Sequence, residues 1–161
     1  MEPGINAATT ADRVRERSPS AANKLIDRET EGRVLRFATK DKEEITRRID
    51  ELEREWDMER VLESNASVLM LAGLGAFAIS GSKKWLIVPG VVLPFFMQHA
   101  LQGWCPPVPA FRKIGVRTQQ EIEREKYALK VLRGDFDALG KSDDPTSRVE
   151  KALEAVRASR P

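Results

Sequence analysis

The chain has 161 residues, 32% of them charged, and a mean hydropathy of −0.42, so its length and average composition fit one ordinary domain that reads as soluble. The formal net charge is +2, with one cysteine and one histidine. These counts exclude an internal disulfide, a paired-cysteine metal site and any two-histidine constellation. The mixed charge also lacks the basic stripe with interleaved aromatics expected of a nucleic-acid binder.

The average conceals a segregation. Residues 1–63 hold 13 basic and 16 acidic side chains, a net of −3, and residues 112–161 hold 12 and 9, a net of +3. Between Ser64 and Phe111 only Lys83 and Lys84 interrupt an otherwise charge-free sequence.

In chain order, residues 1–20 are small and polar, with Pro3, Gly4 and Pro19, and predict a disordered N-terminus. They lack a basic flank followed by an apolar core, so no secretory leader is expected. Residues 21–63 predict a cytoplasmic helical region. "SAANKLIDRETEGRVLRFA" reads as a short amphipathic helix carrying Leu25, Ile26, Val34, Leu35 and Phe37. A second helix is expected to open near Asp41, with Glu44 as its capping partner. Its apolar positions, Ile45, Ile49, Leu52 and Trp56, form a two-heptad stripe. That stripe suits either a coiled-coil partner or a neighbouring helix of the same chain.

Residues 64–104 predict a transmembrane hairpin. A bilayer core of about 30 Å needs roughly 20 apolar helical residues. Asn65 to Ser82 would rise about 27 Å and Trp85 to Trp104 about 30 Å, at about 1.5 Å per residue. A tryptophan at each end of the second span fits the aromatic belts of the two interfaces. The "SGSKK" turn is short, so the spans are antiparallel and the termini share a side. Basic residues flank the outer ends (Arg47, Arg48, Arg54 and Arg60 before, Arg112, Lys113, Arg117, Arg124, Lys126 and Lys130 after), which places both termini in the cytoplasm. On this topology the Asn65 sequon and the Arg133–Asp135 "RGD" are chance matches. Pro94 predicts a kink by freeing the Gly90 carbonyl. Ala72, Ala76 and Ser80, at four-residue spacing and with Gly73 and Gly75 near them, form a small-residue face for close helix approach, within the hairpin or to a second copy.

Residues 105–140 predict a proline segment and a helix. Pro106, Pro107 and Pro109 favour extended backbone. "TQQE", Thr118 to Glu121, is a capping box for a helix carrying Ile122, Leu129 and Leu132, which Gly134 ends. Residues 141–161 predict a charged C-terminal helix or tail, opened by Asp144 and Pro145. The fold class is all-α: an integral membrane two-helix hairpin flanked by cytoplasmic amphipathic helices.

Candidate chemistry centres on "HALQGWCPPVP". Cys105 is the one candidate nucleophile, and Arg112 and Lys113 would activate it if the chain folds back. His99 lies six residues earlier, about 240° round a continuous helix, which argues against a Cys–His pair. Gln98, Gln102 and Cys105 would then share a face, with Gln98, His99 and Gln102 as a polar rim at the span's end. "CP" as a haem thiolate ligand rests on two residues, and "CPPVP" as a ligand for a proline-reading domain competes with a simple helix stop. No cofactor or metal site is expected.

Gly103, Trp104, Cys105 and Pro106, followed by Ile114, Gly115 and Val116, resemble the YgaP-like inner-membrane domain family, in which two short spans end in a Gly-Trp-Cys-Pro-type segment. The likeness covers roughly residues 60–117. The family is largely of unknown function, and some members are fused to rhodanese, which implies sulfane-sulfur handling near the membrane. This chain has neither the rhodanese loop nor a second cysteine. The expectation is a non-enzymatic, multi-pass bacterial inner-membrane protein in the lipid bilayer. It would act by homo-oligomerisation or by docking a helical protein partner, with no nucleic acid. The alternative is a sulfur- or redox-active thiol protein using Cys105 at the cytoplasmic interface.

Overall fold

The computed structural model describes residues 12–137 and 145–158. Every regular element among them is a helix. The first, α1 (Arg13–Glu16), is a single turn, and α2 (Ser20–Phe37) follows directly. Residues 12–20 are therefore ordered, contrary to the composition-based expectation. Val14 is 3% exposed, Ser18 Oγ donates to the Val14 carbonyl at 2.7 Å, and Asn23 Nδ2 donates to the Arg15 carbonyl at 3.0 Å. One apolar side chain with a core to enter is enough to fix a turn whose polar neighbours would leave it free. Residues 1–11 lie outside the described residues.

The chain forms two compact units, each assembled from two separate stretches. Among the described residues, one comprises residues 12–26 and 56–120; the other comprises residues 27–55, 121–137 and 145–158.

The first unit contains α4 (Met58–Ser80), a 3₁₀ turn (Lys83–Leu86), α5 (Ile87–Gln102) and α6 (Val108–Lys113). Asp57 caps α4 by accepting from the Arg60 N–H at 2.8 Å, and Gly81 ends it at φ +64. The first long helix thus starts before the expected Asn65, and the second stops at Gln102 rather than Trp104. Pro94 lies inside α5 without ending it. Two helical stretches are long and apolar enough to cross a membrane: the one that ends with α4 at Ser80, and Lys83–Gln102, the 3₁₀ turn together with α5. They pack on each other, and Gly73 sets how closely: a Cβ there would lie 2.8 Å from Pro89 Cδ and 2.9 Å from Val88 Cβ. The small residue at the contact is Gly73, whereas Ala72 and Ser80 are exposed and Ala76 is half-buried.

The proline segment departs from its expected extended form. Pro107 takes helical backbone angles and α6 begins immediately after it, with Pro109 in its first turn. Proline is tolerated there because the first N–H groups of a helix have no intrahelical acceptor. The core of this unit joins Val14, Met58, Leu62, Cys105 and Val108, with Phe111 and Val116 against it. Arg112 is fully buried and donates to the Val116 carbonyl at 3.1 Å and to Asn23 Oδ1 at 2.7 Å. Arg60 stacks over Trp56, 4.5 Å from the ring centroid.

In the second unit, α3 (Lys42–Arg54) is capped as the sequence suggests: Asp41 accepts from the Glu44 N–H at 2.8 Å. Ile45, Ile49 and Leu52 are buried with Ile122 and Leu129 of α7 (Gln119–Arg133). The apolar stripe thus packs within the chain, and it stops before Trp56 because α3 ends at Arg54. At the centre of this unit Glu125 is fully buried. Arg33 Nε reaches its Oε2 at 2.9 Å, and Arg48 Nε and Nη2 reach its Oε1 at 3.0 and 2.9 Å. The two arginines come from α2 and α3, so one carboxylate ties three helices together. Neighbouring Glu51 and Glu125, accepting from Arg48, raise its pKa against the lowering effect of burial, which is the largest single influence. The "RGD" segment forms an internal turn: Gly134 sits at φ +89 and Arg133 pairs with Asp135 at 2.6 Å. Helix α8 (Pro145–Ala158) begins at Pro145, while its expected cap, Asp144, lies outside the described residues.

Two substitutions test this packing. Glu125→Ala leaves two arginines without their shared acceptor and is expected to cost about 3–5 kcal/mol in chemical denaturation, as removal of one partner of a buried ion pair does. Gly73→Val forces α4 and α5 apart and is expected to lower stability by about 1–3 kcal/mol, the range for overpacked cores. A Gly73→Val protein with an unchanged melting temperature would contradict the close approach.

Candidate functional site

The site lies where α5 ends. Gly103 takes φ +72, a left-handed conformation that caps α5 and reverses the chain, with its N–H donating to the His99 carbonyl at 2.7 Å. It also needs to be glycine for space. A Cβ at Gly103 would lie 2.6 Å from the backbone carbonyl carbon of Arg13. Gly115, the second glycine of the sequence motif, likewise takes positive φ, at +90.

This reversal defeats the helical-wheel argument. Cys105 is no longer on the α5 helix, so the angle computed for a continuous helix does not apply. His99 is 2% exposed and Cys105 4%. His99 Nε2 meets Glu59 Oε2 at 2.7 Å, and Arg13 Nη2 donates to Glu59 Oε1 at 3.3 Å. His99 Nδ1 is buried without a well-formed hydrogen bond. Imidazole, carboxylate and guanidinium are thus linked, drawn from α5, α4 and α1.

Three expectations change. His99 is interior rather than part of a polar rim; Gln98 is half-buried, Gln102 is exposed, and Gln98 Nε2 donates to Gln102 Oε1 at 3.5 Å. Arg112, read as an activator of the thiol, is fully buried and donates to Asn23 and Val116. Cys105 is buried rather than exposed at a surface. Trp104 is half-buried and Pro106 exposed.

Glu59, which lies before Asn65, has its carboxyl held below the usual carboxylate range. The hydrogen bond from His99 is the main cause, Arg13 and the charge of the imidazole add to it, and burial opposes it. Sequence reasoning missed Glu59 and Arg13. Only the spacing of Glu59, one turn before Glu63 at the polar start of an apolar helix, hinted at a special role.

Cys105 also borders an apolar cavity of about 310 Å³ between α4 and α5, with Leu62, Ala66, Leu69, Phe95 and Phe96 among its walls. No group of three or more His, Cys, Asp or Glu side chains placed to hold a metal ion occurs among the described residues. No family model, curated protein or solved structure matches the chain.

The depressed Glu59 value gives a signed expectation. A carboxyl whose pKa is lowered on folding stabilises the fold above its unfolded value, and that contribution is lost as pH falls through the folded one. The stability difference between wild type and Glu59→Gln should shrink on acidification below pH 4.5, the ordinary value. A difference that grows below that pH would reverse the assignment.

Proposed function

We propose that the chain is a multi-pass bacterial inner-membrane protein of the YgaP-like kind, its two long helices crossing the bilayer as a hairpin with both termini cytoplasmic. One observation carries the reading. Between residues 68 and 101 the side chains that α4 and α5 turn outward are apolar except Ser80, with Val68 at 65%, Leu71 at 68%, Ile79 at 90%, Ile87 at 67% and Leu101 at 73% exposure, while the one ionisable side chain of α5, His99, is turned inward. A water-facing helix pair would show the opposite arrangement, and a polar side chain kept inside the bundle is what hydrocarbon demands. Two lysines in the turn against ten basic residues near the outer ends support the cytoplasmic placement of the termini.

Within the membrane the protein acts without catalysis, by self-association or by docking a helical partner through its cytoplasmic helices. The Ile45, Ile49 and Leu52 face is occupied by α7. What remains open is the Ala72 and Ser80 face of α4 and an apolar groove of about 400 Å³ in the second unit, lined by Val34, Leu35 and Ala38 of α2 and Ala128 and Leu132 of α7. A second reading is a sulfur- or redox-active thiol protein using Cys105, whose side chain borders the apolar cavity between α4 and α5.

Carbonate washing of membranes should leave the protein in the pellet, and release into the supernatant would end the membrane reading. In a Cys105→Ser background, Ser80→Cys and Leu35→Cys should each form disulfide-linked dimers in membranes if the protein self-associates through that face. Monomer at both positions leaves partner docking in place of self-association.

A further inference from the structure

We propose that the apolar groove between α2 and α7 is the seat for helix α8 of a second copy of this chain, so that two copies close on each other by exchanging the same contact. The inference deepens the self-association reading and rests on it. The groove, about 400 Å³, is lined by Val34, Leu35 and Ala38 of α2 and by Ala128 and Leu132 of α7. Leu35 is 74% exposed. Ala38 and Ala128 keep the walls low, so another helix can approach closely. From Arg124 to Leu132 the α7 wall rises about 12 Å, at about 1.5 Å per residue.

Helix α8 carries the matching face. Val149, Ala152, Leu153 and Val156 make one apolar stripe, and from the first to the last it rises about 10 Å. Val149 is 57% exposed and Leu153 52%. Ala155, about 100° round the helix from Val156, is buried, so α8 already rests on its own chain through another side and turns the stripe outward. No residue of α8 lines the groove of its own chain. The charges also fit. Arg124 pairs with Asp27, one turn before Glu31, so Arg124 and Glu31 lie at the same end of the groove. An incoming α8 laid antiparallel to α7, as the helix dipoles favour, brings Glu154 and Arg157 to that end, opposite in sign to Arg124 and Glu31 respectively. A twofold axis lets each copy give one helix and receive one, and the assembly closes at two.

The test uses the full-length chain in a Cys105→Ser background, in detergent micelles and in membranes, as two differently tagged copies that each carry one cysteine. Leu35→Cys on one copy and Leu153→Cys on the other should form a disulfide-linked heterodimer under mild oxidation. Lys151→Cys, on the opposite side of α8, should not. Leu153→Ala should raise the dimer dissociation constant by about 10-fold for each groove and about 10²-fold for the pair, as loss of a buried leucine does. Its circular dichroism should match wild type, because Leu153 is exposed in the single chain. Glu31→Arg should weaken the dimer severalfold, and Arg157→Glu added to the same chain should restore it. A chain carrying both cysteines that closes the disulfide on itself, with no linked dimer, would overturn the proposal by seating α8 in its own groove. Equal crosslinking through Lys151→Cys would overturn it too. A dimer unmoved by Leu153→Ala also overturns it, but leaves self-association standing through another face. A wild type that is monomeric by light scattering in both settings refutes self-association itself, and this inference with it.

Discussion

The contact between Glu59 and His99 is the constraint around which the first unit is arranged. It joins the start of α4 to the end of α5 at 2.7 Å, at the opposite end of the hairpin from the Gly81 turn. A hairpin held only by its turn could splay, because two apolar helices gain little from each other when their surroundings are equally apolar. A polar pair at the open end supplies a directional attachment. It also has to be enclosed, since a buried polar group without partners is costly. Arg13 of α1 provides part of that enclosure by donating to the same carboxylate.

The glycine at the end of α5 makes the enclosure possible. Gly103 reverses the chain in a conformation that L side chains avoid, and its missing Cβ admits the Arg13 backbone. The reversal carries Cys105 inward, so that the thiol becomes part of the core with Val14, Met58, Leu62 and Val108. One backbone torsion thus decides whether Cys105 is an exposed residue near a helix end or a buried one in the core.

The second unit uses a different solution. Its helices carry many charges, and the central one, Glu125, is taken out of water altogether. Two arginines from separate helices satisfy both its oxygens, the arrangement in which a guanidinium is most effective because its donors are fixed in a planar fork. Around this clamp Ile45, Ile49, Leu52, Ile122 and Leu129 form an ordinary apolar core. A stripe of two heptads therefore did not require a second chain, because α7 of the same chain supplied the complementary face.

The sequence by itself determined the helical class, the two long apolar segments and some helix ends, because those depend on local properties: charge-free runs, the Asp41 cap, and Gly134 directly after α7 stops. It also singled out Cys105 and His99 as the candidate chemical groups, since each is the one residue of its type. Tertiary structure alone decided what those groups face. The pairing of His99 with Glu59 spans 40 residues, and the Glu125 contacts with Arg48 and Arg33 span 77 and 92. No periodicity encodes such partners. The helical wheel failed at Cys105 for a related reason, because it assumes a continuous helix and the left-handed turn at Gly103 ends it. Local rules specify elements, whereas sites arise where distant elements meet, and that meeting is fixed by packing and by the need to satisfy every buried polar group.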